Sequence, residues 1–342
     1  MFIRWNDPAV RLTGRWTRLI EESADCHVYV QPPVNHTTTT APGSYFELAF
    51  RGESALLQFE LGYLETHAPH LWIQVDGGAS VEVPVDRFIR INAAGDGSHV
   101  VKVSYKGGVE QLPRWYAPLM GAISFIGAEA EAPGELPPDD RTIIEFIGDS
   151  ITEGVLTDID YATPPFAIDQ LNRPYQDDNA ATYASLTAKR LNLRPIFQAY
   201  GAVGLTRAGC GSVPRAGLIY PYCYDGVPYA GEKPAVILIN HGANDRGTNA
   251  GEYITRYAEL IDQLRANTPD AVIVCLTAFC GAFDSEVQAF VSEYNRTHEK
   301  PIHCISSKGW VPLEPLHPLR DGHRIIADHL TPLLKEIIEK GE

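Results

Sequence analysis

Basic residues are in short supply: 28 Lys and Arg stand against 43 Asp and Glu, a net charge of −15. Such a surface repels phosphate backbones and anionic bilayers. No Lys/Arg cluster interrupts it, so neither nucleic acid nor a membrane is expected as a partner. Long apolar runs are missing too. AVILI at 235–239 and AVIVCL at 271–276 are typical of the longest, well short of the roughly 18 residues of a membrane span. The opening MFIRWNDPAVRLTGRW has neither the apolar stretch nor the small-residue cleavage site of a signal peptide, and a cytoplasmic location is expected. The six cysteines (26, 210, 223, 275, 280, 304) are scattered, with no C-x-x-C pair and no Cys/His metal spacing. Cys275 and Cys304 sit in apolar runs, as small hydrophobes do. Cys210 and Cys223 bracket a loop that a bridge can close, although reduced thiols are expected in the cytoplasm. No repeat of solenoid period and no low-complexity tract occurs.

The chain holds 342 residues, 44% hydrophobic and 21% charged. That composition is ordinary for a globular protein, and the length suggests about two domains. Two periodicities divide it. Up to about residue 130, YFELAF (45–50), LLQFEL (56–61), LWIQVD (71–76), VEVPVD (81–86), FIRIN (88–92) and HVVKVSY (99–105) alternate apolar and polar, as half-buried strands do. Arg51-Gly52-Glu53, Asp76-Gly77-Gly78, Gly95-Asp96-Gly97 and Lys106-Gly107-Gly108 read as the turns between them, and GAISFIGAE (121–129) as the last strand. Residues 1–130 are therefore expected to form an antiparallel, jelly-roll-like sandwich. A Pro- and acid-rich linker spans 131–141.

From 142 to 342 the strand-like runs are continuously apolar: TIIEFIG (142–148), PIFQAYG (195–201), AVILINHG (235–242), AVIVCLTAF (271–279) and PIHCISS (301–307). Strands covered on both faces look like this. Helical patterns separate them: Ile254, Tyr257, Ala258, Ile261 and Leu264 share one face, Val287, Phe290, Val291 and Tyr294 another. A last helix carries Ile325, Ile326, Leu330, Leu333, Leu334 and Ile337, with a kink expected at Pro332. The alternation predicts a doubly wound parallel sheet of five strands, whose ligands bind at the carboxyl ends of the strands. Two stretches, 155–180 and 207–233, read as long functional loops.

Chemistry gathers at that carboxyl edge. Gly148-Asp149-Ser150 ends the first parallel strand and exposes a hydroxyl where the next segment's N–H groups converge, as a nucleophile requires. Alone the tripeptide is weak, since a chain this long contains one by chance about one time in ten. The second strand, however, runs into Gly201-Ala202-Val203-Gly204, and the third into Gly242-Ala243-Asn244-Asp245. The Ser150 N–H, the Gly204 N–H and the Asn244 side chain would together form a three-donor oxyanion hole. A base stands in Glu314-Pro315-Leu316-His317-Pro318, where Glu314 is placed to orient His317. His323, His329 and His241 are weaker candidates. Asp321 reads as a helix cap and His323 as a helix residue. Asp149 and Asp245 are expected to hold loops in place.

This ordered set resembles the SGNH hydrolase (GDSL esterase) superfamily, matched by Ser150, Gly204, Asn244 and His317 over about residues 142–340. An N-terminal sandwich before such a domain resembles the family 2 carbohydrate acetyl esterases. Leu12-Thr13-Gly14-Arg15-Trp16 and Val75-Asp76-Gly77 add a looser likeness. The resemblance implies a flavodoxin-like three-layer domain and a two-step acyl transfer with no metal and no cofactor. It also implies removal of O-acetyl groups from a carbohydrate, an oligosaccharide or a smaller ester. An acyltransferase or lipase/thioesterase using the same site, or a non-catalytic sugar-binding protein, are the alternatives. The superfamily places Asp three residues before the His, where this chain has Glu314. In the family 2 esterases a backbone carbonyl is understood to orient the His instead.

Tyr220, Tyr222, Tyr224 and Tyr229 form an aromatic group suited to stacking on sugar, with Trp310 as a wall of the acyl pocket. Trp115 and Tyr116 are placed either at the junction of the domains or at the end of the sandwich. His67 and His70 read as a surface turn rather than a metal site, and Asp177-Asp178-Asn179 as the cap of a helix starting near Ala180. Nothing in the sequence specifies oligomeric state; an edge of the sandwich is a candidate dimer surface.

Overall fold

Alternation becomes an antiparallel sheet and continuous apolarity a parallel one. The computed structural model describes residues 1–18, 36–61, 67–160 and 173–341. Cys26 and part of the expected loop 155–180 lie outside them. The antiparallel strands are β1 (Phe2–Arg4), β2 (Val10–Thr13), β3 (Thr37–Thr39), β4 (Tyr45–Glu60), β5 (His70–Val75), β6 (Val81–Pro84), β7 (Phe88–Asn92), β8 (Ser98–Gly107) and β9 (Ile123–Pro133). Along the main path they run β1-β9-β4-β8-β5-β6, with β2 and β7 on β4 and β3 on β9. Trp16, Phe46, Phe50, Leu57, Phe59 and Phe125 fill one core. Burying each such side chain is worth about 2–3 kcal/mol.

One turn is absent. Arg51-Gly52-Glu53 lies inside the 16-residue β4, where the register with β9 shifts between Arg51 and Ala55. Gly52 takes φ +102°, which only glycine adopts without strain. A glycine in an alternating pattern marks a hairpin or a bulge equally well, and here it bends a continuous strand. His70 is no surface residue either: it is buried in β5 with Nδ1 2.7 Å from Glu82.

The parallel sheet comprises β10 (Ile143–Gly148), β11 (Arg194–Ala199), β14 (Val236–Asn240), β15 (Val272–Leu276) and β16 (His303–Ile305), in the order β11-β10-β14-β15-β16. Every pairing is parallel. The order reverses beside β10, which creates the switch point where such sheets bind ligands. Helices α1 (Ser150–Glu153), α2 (Arg173–Gln176), α3 (Tyr183–Arg190), α4 (Ala216–Ile219), α5 (Ala250–Asn267), α6 (Asp284–Thr297) and α7 (Arg320–Gly341) accompany it. On α5 the buried face is Tyr253, Tyr257, Leu260, Ile261 and Leu264, with Ile254 and Ala258 only half-buried. On α7, Ile326, Leu330 and Leu334 are buried, whereas Ile325 and Leu333 are exposed. Pro332 lies within α7, which continues past it to Gly341. Asp321 lies in its first turn rather than at a cap, 3.1 Å from Arg324. Asp178 caps a short 3-10 turn at Asn179–Ala181, and Thr182 caps α3. Cys210 and Cys223 are both free thiols, so no bridge closes their loop.

Buried charge joins the two halves. Arg15 donates to Glu145 of β10 at 2.6 Å and to the carbonyls of Tyr220 and Tyr222 at 2.9 and 3.1 Å. The end of β8 and the segment following it insert into the parallel domain. Lys106 donates to the carbonyls of Pro174 and Asp177 at 2.8 Å each, and Arg114 pairs with Glu153 of α1. Trp115 is buried among side chains of the parallel domain, while Tyr116 is exposed.

Candidate active site

Ser150 opens α1 immediately beyond β10. Asp149 caps the helix, accepting from the Ile151 N–H at 3.0 Å. Gly148 is required: a Cβ there would stand 2.2 Å from Thr152 Oγ1, so any other residue would push α1 off the strand. As the first helical residue, Ser150 has an N–H without an intrahelical acceptor. Its hydroxyl lies 2.8 Å from His317 Nε2, bringing together residues 167 apart in sequence.

Burial pushes the His317 imidazole below its ordinary value, Glu110 pulls it up and Arg173 pulls it down. Glu110, on the segment following β8, belongs to the antiparallel domain. Its Oε1 accepts from both Arg173 guanidinium nitrogens at 3.2 Å. Its Oε2 lies against Gly201, where a Cβ would fall at 1.9 Å, and so reaches the carboxyl edge of β11. Sequence reading missed Glu110, Arg173 and the Arg114–Glu153 pair. Each is a charged residue in a segment without periodicity, and only folding across the domain boundary unites them.

Glu314 is exposed, and among the described residues no hydrogen bond joins it to His317. His323 is buried in α7 with Nδ1 accepting from the Tyr183 N–H at 3.2 Å, and burial pushes it down to about 3. His241 is buried and pushed down to about 4. His329 stacks on Trp310 at 5.2 Å.

Asn244 Nδ2 donates to the Val203 carbonyl at 3.1 Å and to Asp149 Oδ2 at 3.3 Å, which sets its amide beside α1. Gly204 has no room for a side chain, since a Cβ would stand 2.6 Å from Asp245 Oδ1. Its N–H, however, donates to the Arg207 carbonyl at 3.1 Å, so an oxyanion must share or displace that acceptor. Asp245 accepts from the N–H groups of Leu205 and Thr206 at 3.1 and 2.8 Å and fastens that loop. Burial, reinforced by Asp245 and Glu153, pushes the Asp149 carboxyl up to about 7.

The tyrosines lie elsewhere. Residues 207–233 are not structureless: α4 leads to β12 (Tyr222–Tyr224) and β13 (Val227–Pro228), which pair. Tyr220 is buried, with its hydroxyl 3.3 Å from Glu145 and 3.4 Å from Asn267, the last residue of α5. That helix ends at the amino edge of the sheet, opposite Ser150. Tyr224 is buried and Tyr229 lies against Arg15 at 4.5 Å. Tyr222 is partly exposed and meets Trp115 edge-on at 6.3 Å. These rings close the junction between domains instead of presenting a sugar platform at Ser150. Trp310 packs on α7 through His329, away from the expected role of pocket wall. Among the described residues no group of three or more His, Cys, Asp or Glu could hold a metal, and no helix is long and apolar enough to cross a membrane.

Comparison with known proteins sets this geometry in a family. The chain is 29% identical over 326 residues to the cellulase/esterase CelE of Acetivibrio thermocellus, spanning 86% of this chain but 37% of that protein. It is 25% identical over 280 residues to an acetylxylan esterase/glucomannan deacetylase of Cellvibrio japonicus, covering 73% of this chain and 72% of the other. A family two carbohydrate esterase from Clostridium thermocellum, solved with cellohexaose, shares the fold with a TM-score of 0.74 at 24% identity, over 96% of this chain and 99% of that one. The sequence profile of the GDSL-like lipase/acylhydrolases matches residues 146–325, from the strand before Ser150 to the helix after His317. On that match, which spans more than half of its length, the chain belongs to the GDSL-like lipase/acylhydrolase family.

Proposed function

We propose that the protein is a serine esterase that removes O-acetyl groups from a carbohydrate through an acyl-enzyme. The observation that carries this reading is the 2.8 Å contact between Ser150 Oγ and His317 Nε2 at the switch point of the sheet. An imidazole held below its ordinary value by burial is neutral near pH 7, the state a base needs. His317 takes the Ser150 proton as the hydroxyl attacks the ester carbonyl. The oxyanion is met by the Ser150 N–H and the Asn244 amide, with the Gly204 N–H joining when it turns from Arg207. His317 then protonates the departing sugar hydroxyl, and water activated by the same imidazole releases acetate.

With Glu314 exposed and unbonded to His317, the reading runs on a Ser–His pair without that carboxylate. The acetyl–carbohydrate part is supported by the names of the relatives, an esterase and an acetylxylan esterase/glucomannan deacetylase. Acetate release from acetylated xylo-, manno- and gluco-oligosaccharides tests it. Release by the native chain that vanishes in Ser150→Ala, with an unchanged thermal melt, is expected. Full release by Ser150→Ala would overturn the mechanism, and a preference for octanoyl over acetyl esters would overturn the substrate class.

A further inference from the structure

The outer face of the antiparallel sheet and the α3 side of the parallel domain leave a cleft of about 610 Å³ between them, within the range of small-ligand sites. Trp72, on β5, is half-buried in its wall, and its Nε1 is anchored to Asp178 at 3.0 Å. Lys102, Arg141, Lys189 and Arg320 also line the cleft, against the single carboxylate of Asp178. In a chain of net charge −15 the lining itself is positive, with Asp139, Asp158 and Glu47 close to its cations, and low-dielectric walls concentrate the field of whatever charge is left over.

Two of these cations are already matched. Arg141 makes two 2.7 Å hydrogen bonds to Asp139, and Arg320 pairs with Asp158 and Asp178. The other two are not: among the described residues, neither Lys102 nor Lys189 forms an ion pair or donates a hydrogen bond. Lys102 Nζ stands 3.9 Å from the centre of the Tyr45 ring, and burial disfavours its charged form. Glu47, directly across the strand pair, and Asp139 favour its charge, but they are paired with Arg11 and Arg141, so the half-buried ammonium meets no acceptor of its own and an anion in the cleft would supply one.

The cleft does not open on Ser150. Asp178 donates its N–H to the Gly154 carbonyl at 2.9 Å, and Asn179 Nδ2 lies 3.4 and 3.3 Å from the carbonyls of Thr152 and Glu153, so one layer of chain separates the cleft from α1. We propose that this interdomain cleft binds a carboxylate-bearing saccharide unit, a uronic acid, with its carboxylate on Lys102 and Lys189 and its ring against Trp72. The sugar half of this inference rests on the carbohydrate reading above; the anion half rests on the two unmatched lysines.

Calorimetric titration of the full chain tests it, using xylotriose bearing one glucuronic acid branch, plain xylotriose, free glucuronate and inorganic phosphate. The acidic oligosaccharide is expected to bind at least tenfold more tightly than the neutral one. Lys102→Gln and Lys189→Gln should each reduce that advantage, while hydrolysis of p-nitrophenyl acetate stays within twofold. Lys189 is exposed, so its variant reports even if Lys102→Gln impairs folding. Equal affinity for the two oligosaccharides, or an advantage that survives both substitutions, overturns the proposal. So does phosphate binding as tightly as the acidic oligosaccharide with the same dependence on the lysines. None of the probes titrated carries an ester. Loss of acetate release with binding intact would therefore sink the esterase reading alone, and the converse would sink this one alone.

Discussion

Replacing Arg114 by Met removes the only cation that, among the described residues, forms an ion pair with Glu153, three residues beyond Ser150 on α1, and leaves Arg173 as a weaker neighbour. Both partners are nearly inaccessible, with side-chain exposures of 1% and 3%. Truncating one member of such a pair leaves a buried, uncompensated charge and costs about 3–5 kcal/mol. In a domain of about 200 residues that lowers the melting midpoint by roughly 6–20 °C. Burial already pushes the Glu153 carboxyl above its ordinary 4.5, with Arg114 opposing it. Without Arg114 the folded value rises further. A carboxyl with a raised folded pKa binds more protons folded than unfolded, so stability falls as pH rises past the unfolded value. The loss in Arg114→Met should thus be small near pH 4, grow as pH rises, and level off above the folded pKa. Urea unfolding at several pH values, monitored by tryptophan fluorescence, measures it. Arg114→Met/Glu153→Met should recover most of the loss, since neither charge is then stranded. A loss under 1 kcal/mol at pH 8, or one independent of pH, would refute the reasoning.

The acid limb of kcat/KM should fall below pH 6.5, because burial lowers His317 and the imidazole must be neutral to act as base. Glu110→Gln removes a charge that raises His317 and should move that limb lower still, whereas Arg173→Gln should move it higher; two unmoved profiles would exclude both as electrostatic neighbours. Gly204→Ala brings a methyl to 2.6 Å from Asp245 Oδ1 and should reduce turnover at least tenfold by displacing the loop, as measured on p-nitrophenyl acetate. Glu314→Ala should lose less than tenfold in the same assay, and a larger loss would restore the carboxylate to the site. His323→Ala strands the buried Tyr183 N–H and should cost about 1–3 kcal/mol of stability while leaving turnover within a few-fold.

Local pattern made most of the fold and the meeting of Ser150 with His317 legible. The period-two stretch before residue 130 and the five apolar runs after it reappear as strands of the two sheets, because side-chain periodicity reports directly which faces are covered. The same logic failed at Gly52, where hairpin and bulge share one sequence signal. Ser150, Gly204, Asn244 and His317 could be named because each lies on a segment that leaves a strand's carboxyl end, and a parallel sheet brings all such ends to one edge. The tyrosines of 220–229 misled, because aromatic composition says nothing about which edge of the sheet a loop returns to.

Sequence alone therefore determined the two architectures and the residues that meet at the switch point, since short-range periodicity and strand order suffice for both. Only the tertiary structure decided that Glu314 faces solvent, that Gly204 donates to Arg207, and that Glu110 and Arg114 of the antiparallel domain reach the carboxyl edge of the parallel sheet. It likewise left Lys102 and Lys189 unmatched in a shared cleft. Those outcomes depend on how one domain docks on the other, and charged side chains on aperiodic segments carry no local signal of their partners.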